Sequence, residues 1–579
     1  IQAAATITTN HTYTLPAALP TASGQVLSST TAGVLSWATD SLPDASVTAA
    51  KIASGLQLVT TDAQNNTVAG TNAGDSFDGT NAAGNTLIGE DAGTAITTGD
   101  YNSAFGLDTL DANTTGNRNS AVGKAALGAN TTGSDNSAFG NNALAANTTA
   151  SSNVAVGGNA AAANTTGASI VAMGDGALYA NTTGSSNTAI GALTLNANTT
   201  ADNNTAIGKS ALQANTTGAG NTVVGAQALD ANTTGDSNVA IGWEALSSNT
   251  TAANNTAVGR QSMLSNTTGS NNTAVGHEAL EANTTASNNT ALGYEALVAN
   301  TTAGSLTAVG SGALAANTTA SYNSAFGRNA LGANTTGNHN SAVGNDSLAA
   351  NTTGHNLTAV GMDALQANTT GNYNVAVGKS ALTACTTGTY NTAIGFESGI
   401  NITTGHNSVC LGRNTSTGLA DSATRVVIGS NVSGSSDYQV TIGNDSVGKI
   451  QNNFNSNATW ARTSDIRFKK DVNTNTDCGL DFINDLRTVT YKWKAPSERP
   501  PELTGYDAEL TEPSHKEKMY GFIAQEIKAV LDAKNITDFN GWSASEKDGS
   551  QSVSYEMFVI PLVKAVQELS AKVAALEAG

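Results

Sequence analysis

The stretch Asn119–Asp135, NSAVGKAALGANTTGSD, decides the fold, because the chain repeats its pattern every 17 residues. The glycine of this pattern falls at Gly89, Gly106, Gly123 and Gly140 and onward to Gly412 and Gly429. That makes 21 glycines in register, with no insertion or deletion between them. The triplet Asn-Thr-Thr recurs 16 times from Asn113 to Asn368. An apolar residue always precedes the glycine, as in Phe105, Val122, Phe139, Val156, Met173, Ile190, Ile207 and Leu411. A second apolar slot holds Leu127, Leu144, Leu178, Leu212 and Leu229, with Ala161 and Met263 as variants. Alanine and glycine fill the space between, small enough for backbones to approach closely.

Segments of the type TAVG read as short strands, and ANTTGxxN reads as turns, so one repeat makes one coil with two short sides. A strand-plus-helix repeat needs about 20–29 residues, more than this period supplies. No proline interrupts the run between Pro43 and Pro496, which suits continuous ladder hydrogen bonding. The expected fold is mainly β, a parallel β-roll solenoid of ~21 coils. At one strand spacing per coil, about 4.8 Å, the rod is roughly 100 Å long. Equivalent Asn and Thr slots stack as ladders, each amide bonding the coils above and below. One coil buries only about two large apolar side chains, too few to hold a chain by itself. Part of the apolar surface is therefore expected to meet other copies of the chain.

Composition agrees with such an object. Charged residues make up 12% and aromatics 5%, against about 25% charged in an average domain. The missing charge points to a repetitive polar surface of Asn, Thr, Ser and Gly. The net charge of −19 argues against nucleic acid as a partner, since phosphate binding needs clustered Lys and Arg. Cys385, Cys410 and Cys478 follow no disulfide or metal spacing and read as small buried thiols. Histidines on one coil lack ligand spacing, so neither metal nor cofactor is expected. No run of 18 apolar residues offers a membrane span.

The boundaries follow the text. Residues 1–64 read as an N-terminal connector, 65–84 as a degenerate cap coil and 85–430 as the repeats. Residues 431–463 form a β transition, with alternating Val440, Ile442 and Ile450. From Ser464, Lys, Glu, Pro, Trp and Tyr become frequent, and 464–579 is a separate α+β domain of 116 residues. Its final segment places Leu562, Val566, Leu569, Val573 and Leu576 at heptad spacing behind Pro561, which suits a helix or coiled coil.

Two resemblances sharpen this reading. The pattern NTAVG…AL…ANTTG, with NSVCLG at Asn407–Gly412, resembles the head repeats of trimeric autotransporter adhesins and of phage tail fibres. That resemblance implies a left-handed β-roll in which three chains share one axis. In the last domain, SDIRFKKDV from Ser464, GLDFINDLRTVTYKWK from Gly479 and YGFIAQEIKAVL from Tyr520 resemble the intramolecular chaperone of phage endosialidases and tail spikes, an S74 peptidase. The resemblance implies a Ser-Lys dyad at Ser464 and Lys469, cutting the chain's own Thr463–Ser464 bond. Such a serine needs a base to take its proton. A lysine serves only when neutral, which burial or neighbouring cations such as Arg467 and Lys470 favour. The peptidase acts in cis only, and no activity on other substrates is expected.

Variable slots are candidate binding positions. Tyr322, His339, Tyr373 and Tyr390 share the register before the repeat Asn, and Trp243, His277 and Tyr294 share one after the glycine. Stacked on neighbouring coils, such aromatics make a surface able to meet sugars. Asn-Thr-Thr is also a glycosylation acceptor sequence, but its fixed register is better explained by turn and ladder geometry. The expected function is a structural and adhesive extracellular fibre, a homotrimer binding a host surface receptor or glycan. A phage tail fibre ranks ahead of a bacterial cell-surface adhesin because of the chaperone-like ending. A polysaccharide-degrading fibre needs paired carboxylates, and the acids here are scattered. Ice binding is disfavoured because adjacent threonines point to opposite faces of a strand.

Overall fold

A computed structural model describes residues 25–29, 35–39, 60–77, 81–453, 461–462, 469–501, 506–513, 517–545 and 549–579. The chain divides into two compact units, Ile1–Arg462 and Thr463–Gly579.

The first unit is a parallel β-solenoid of about 22 coils. In the coil that opens at Asn119, the strand Ser120–Val122 pairs in parallel with Ser103–Phe105 before it and Ser137–Phe139 after it. The same pairing runs from Thr67–Ala69 to Gln439–Asn444. Through most of the solenoid only three residues per coil are strand, so the coil has one β side rather than two; the last coils add a second, where Thr415–Ser416 pairs in parallel with Val432–Ser433. Backbone bonds between coils still continue around it: Leu127 N–H donates to Ala143 O (3.0 Å), Ala129 to Ala145 (3.0 Å) and Thr131 to Thr148 (2.8 Å).

Four corners close the coil. Arg118, Ala125 and Leu127 sit at φ of 55°, 56° and 53°, and Gly123 at 125°. A left-handed corner at Leu127 explains why that slot holds Leu, Ala, Met or Gly (Gly93 and Gly399) but never Val or Ile, whose branched Cβ makes positive φ costly.

Side-chain direction corrects one expectation. Ala121 points inward and is fully buried, so its neighbours on the strand point outward, and Val122 is 38% exposed. Leu127 is the one large apolar side chain that the coil buries. The residue before each glycine instead forms a half-exposed apolar column on the outer face of the strands, including Ile88, Phe105, Phe139, Ile190, Ile241 and Leu292.

The polar surface expected of Asn is also corrected, since two Asn columns lie inside. Asn136 donates its backbone N–H (3.0 Å) and Nδ2 (3.1 Å) to Asn119 Oδ1, and Nδ2 also reaches Ala150 O (3.0 Å). In the Asn-Thr-Thr column, Asn147 Nδ2 donates to Asn130 Oδ1 (2.9 Å) and to Ala150 O (3.0 Å). Burial costs an amide little when every lone pair and proton is used. The Asn-Thr-Thr asparagines from Asn113 to Asn368 are fully buried, which leaves their amides inaccessible to glycosylation. That column ends where Cys385 replaces Asn, and Asn368 Oδ1 is left without a partner. The Cys385 and Cys410 thiols are pushed up to about 11 and about 12 by burial, which makes them inert.

These columns give a graded expectation. Asn136→Leu should cost about 1–2 kcal/mol, the loss of one buried pairing. Ile170, Leu306 and Leu357 occupy the same register, and Ile170 N–H still reaches Asn153 Oδ1 (3.1 Å). Asn136→Asp sets a carboxylate against two buried oxygens and should cost about 3 kcal/mol or more. Hydrogen exchange across residues 119–153 checks the order, and equal protection in both variants contradicts it.

At both solenoid ends an antiparallel strand covers the edge of the last parallel rung. Thr60–Thr61 pairs with Thr67–Val68 at one end, and Gly448–Asn453 pairs with Gln439–Asn444 at the other. Near the second end, the buried Arg425 takes the ladder position that Asn391 and Ser408 hold in the coils before it. Its guanidinium donates to Asp437 Oδ1 (Nε 3.0 Å, Nη2 2.8 Å) and to Thr417 O. The Ala423 backbone N–H and Arg425 together hold the Asp437 carboxyl below its usual range.

Among its described residues the second unit holds three α-helices, α1 (Leu480–Asp485), α2 (Ala524–Ala533) and α3 (Val559–Glu577). Two short antiparallel strand pairs accompany them, Val489–Tyr491 with Met519–Gly521 and Trp542–Ala544 with Gln551–Val553. Phe482, Ile527, Leu531 and Phe558 form its core, with Phe522 and Phe539 packed against them.

Candidate functional site

The segments singled out in the second unit build one framework. GLDFINDLRTVTYKWK supplies α1 and the strand Val489–Tyr491, and YGFIAQEIKAVL supplies the partner strand and α2. A Cβ at Gly521 would displace the Tyr555 hydroxyl, which accepts the Phe522 N–H (3.3 Å). Arg487 and Glu526 tie the two segments together: Arg487 Nε lies 3.0 Å from Glu526 Oε2, and the pair holds Glu526 below the usual carboxylate range. Sequence reasoning missed this pair, although the charges within DLR and AQE were the available signal. Glu568 of α3 accepts the Leu480 N–H (2.7 Å), anchoring α3 to the start of α1.

Of the two dyad positions, Lys469 is exposed. Ser464, and with it the Thr463–Ser464 bond, lies outside the described residues. On α3 only Pro561 and Ala565 are buried. The heptad positions face outward instead: Leu562 is 48% exposed, Val566 64%, Leu569 50% and Val573 44%.

On the solenoid the variable slots do stack. Tyr322 lies parallel to His339 (centroids 5.1 Å) and Tyr373 to Tyr390 (4.8 Å), while His355 meets Tyr373 edge-on (5.3 Å). In the register after the glycine, Arg260 caps the Trp243 ring (4.9 Å), and its Nη1 contacts His277 Nε2 (2.9 Å). His277 in turn stacks on Tyr294 (5.6 Å). Arg260 fills the coil between Trp243 and His277 and makes that column continuous. Ring faces are largely covered by neighbouring rings in both columns, so the outward edges and the ends of each stack are what a ligand meets.

Compared with known proteins, residues 464–535 match the family model described as chaperone of endosialidase, peptidase S74. No curated protein and no solved structure matches the chain. The matched span takes in α1, α2 and the strand pair between them, the same framework that the quoted segments build. The second unit therefore carries a chaperone-of-endosialidase domain joined to a β-solenoid of the kind found in fibres.

Proposed function

We propose that this chain is an extracellular structural and adhesive fibre, a phage tail fibre or similar appendage that attaches to a host surface receptor or glycan. Three copies wind side by side along the outward apolar column, and the C-terminal domain brings them into register before cutting itself off between Thr463 and Ser464. The observation that carries the reading is the apolar column itself. Nearly every coil adds one half-exposed Val, Ile, Leu, Met or Phe to it, in a chain that also carries a domain matching the chaperone of endosialidase. Apolar patches larger than a few hundred Å² are rare on monomers and mark association sites. The exposed heptad face of α3 supplies a second association surface.

Near-identical coils make the alignment problem real. A chain can pair one rung out of step with its neighbour at almost no local cost, and non-local parallel pairing is slow. A temporary domain that trimerises first fixes the register. Its removal leaves a fibre held by its unfolding barrier.

Cleavage is tested by intact mass. The wild type should separate into two fragments at the 463–464 bond, whereas Ser464→Ala should stay a single 58.0 kDa chain. Lys469→Arg should block the cut as fully as Lys469→Ala, because a guanidinium stays protonated and cannot act as base. Rescue by arginine would reduce Lys469 to a charge that merely holds structure. One uncut species for every variant, wild type included, counts against self-cleavage.

A further inference from the structure

The outward face of the strands has two unlike edges. Strands cross the rod, so the residues just before each strand line one long edge of this face and the residues just after the glycine line the other. Six of the eight Lys and Arg between residues 85 and 430 share the slot after the glycine: Lys124, Lys209, Arg260, Arg328, Lys379 and Arg413. Two acids, Glu90 and Asp175, share it with them. The opposite edge, made of the two residues before the buried ladder Asn, carries four Asp against one Arg, together with four Tyr that include Tyr373 and Tyr390. Further acids follow one residue beyond the cations, at the left-handed corner, and are tied within the chain: Glu244 accepts from Gln261 Nε2 (2.9 Å) and Asp346 from Arg328 Nη2 (2.8 Å).

Edges of opposite character favour one way of joining copies. When chains are related by rotation about an axis parallel to the rod, the glycine-side edge of one meets the Asn-side edge of the next. Antiparallel face-to-face pairing would instead set like edges together, cation row against cation row. Closed rotation also carries no shift along the axis, so residues of one coil meet residues of the equivalent coil. Tyr373 and Lys379 flank the strand Val375–Val377, and Tyr390 and Phe396 flank Thr392–Ile394. Tyr373 lies parallel to Tyr390 (centroids 4.8 Å), and Lys379 Nζ stands 5.9 Å from the Phe396 centroid. Both pairs span the same two coils and are exposed in the single chain. A strand separates them there, so they meet only across an interface.

We propose that Lys379 and Phe396 of one chain pack on Tyr373 and Tyr390 of a second copy, three times around the trimer axis. The tyrosines stack along the rod, so their edges and hydroxyls reach the neighbour: the Tyr373 hydroxyl accepts from the Lys379 ammonium, and Tyr390 meets Phe396. Ten coils lower, Lys209 of one chain and Asp202 of the next make the matching ion pair. This deepens the trimeric reading above and rests on it, because it assigns the two edges that decide how neighbouring chains meet.

Thiol cross-linking of the full chain reads the pairing. Small side chains are native to both registers, Ser152 and Ser237 in that of Tyr373, Ala226 and Ser311 in that of Lys379, so cysteine should fold at either site. The three native thiols are buried. The double variant Tyr373→Cys, Lys379→Cys is treated with a bismaleimide whose two-carbon bridge stands in for the removed side chains. It should give covalent trimers under denaturing electrophoresis, with about tenfold more cross-linked chain than either single variant, because the two thiols are held close across each interface. Tyr373→Cys with Arg328→Cys, three coils or about 14 Å out of layer, should stay at the level of the single variants. Single variants that cross-link as well as the double place like edges in contact and overturn the pairing, and so does an out-of-layer pair that reacts equally. A particle of three chains in which the double variant gives no covalent trimer overturns the pairing alone. A monomeric particle overturns the trimeric reading on which it rests.

Discussion

Gly225→Ala should open the solenoid at a single coil and split its thermal unfolding into two transitions. Gly225 holds φ at 143°, a region that L side chains rarely adopt, at a cost of about 1–3 kcal/mol. A Cβ there would also lie within the van der Waals radius of the Gly242 carbonyl oxygen in the next coil. That oxygen belongs to the backbone and cannot swing away, so the rungs must separate, with a combined loss of about 3 kcal/mol or more. In a solenoid each coil is stabilised only by its neighbours, so one broken contact uncouples the two sides. Hydrogen exchange should show lost protection centred on residues 208–259, with distant coils unaffected. Gly128→Ala is the control. Its slot holds Ala145, Ala162 and Gln213 in other coils, its φ is not positive, and a Cβ there would meet no atom closer than 3.3 Å, so the coil should accept the methyl group. Equal damage from both substitutions would contradict the role given to the glycine column.

Charging the apolar column should abolish association while leaving the individual chain folded. Ile190, Ile241 and Leu292 are 36%, 38% and 45% exposed in the single chain, each three coils from the next. In an isolated chain Asp at these positions reaches water, and the separation of about 14 Å between them exceeds a Debye length at physiological salt. In a trimer built on this face the carboxylates from three chains converge, and each unpaired buried charge costs several kcal/mol. The triple variant Ile190→Asp, Ile241→Asp, Leu292→Asp should therefore sediment as a smaller particle, with the far-ultraviolet circular dichroism of a β-solenoid retained. An unchanged particle size would show that chains meet through another face.

The sequence made the period, the coil and the C-terminal framework legible for one physical reason. A rung stacked on copies of itself must repeat its side chains in register, and Gly123, Leu127 and Asn130 are constrained by contact with their own equivalents. Direction was less legible. Val122 and Leu127 are both apolar and look alike in the repeat, yet the first points out and the second in. The three-residue strand sets only its own alternation, and the left-handed corners at Ala125 and Leu127 reset it. Asn119 and Asn130 look like turn residues, and their burial depends on partners in the coils above and below, such as the bond from Asn130 Nδ2 to Asn113 Oδ1 (2.7 Å). The aromatic slots could be aligned from the period alone. Arg260, which caps the Trp243 ring and bridges Trp243 to His277, was passed over because a cation does not announce itself as a member of an aromatic column. Of the proposed dyad, the motif was readable and Lys469 is placed, while Ser464 lies outside the described residues.

The claim beneath all of this is that a coil burying a single large apolar side chain cannot stand alone. Sedimentation equilibrium of the full-length Ser464→Ala chain, which keeps its C-terminal domain attached, measures that most directly. A particle of three chains, persisting on dilution, is the expected result. A folded monomer whose solenoid amides resist exchange as well as those of any assembled fibre would contradict it.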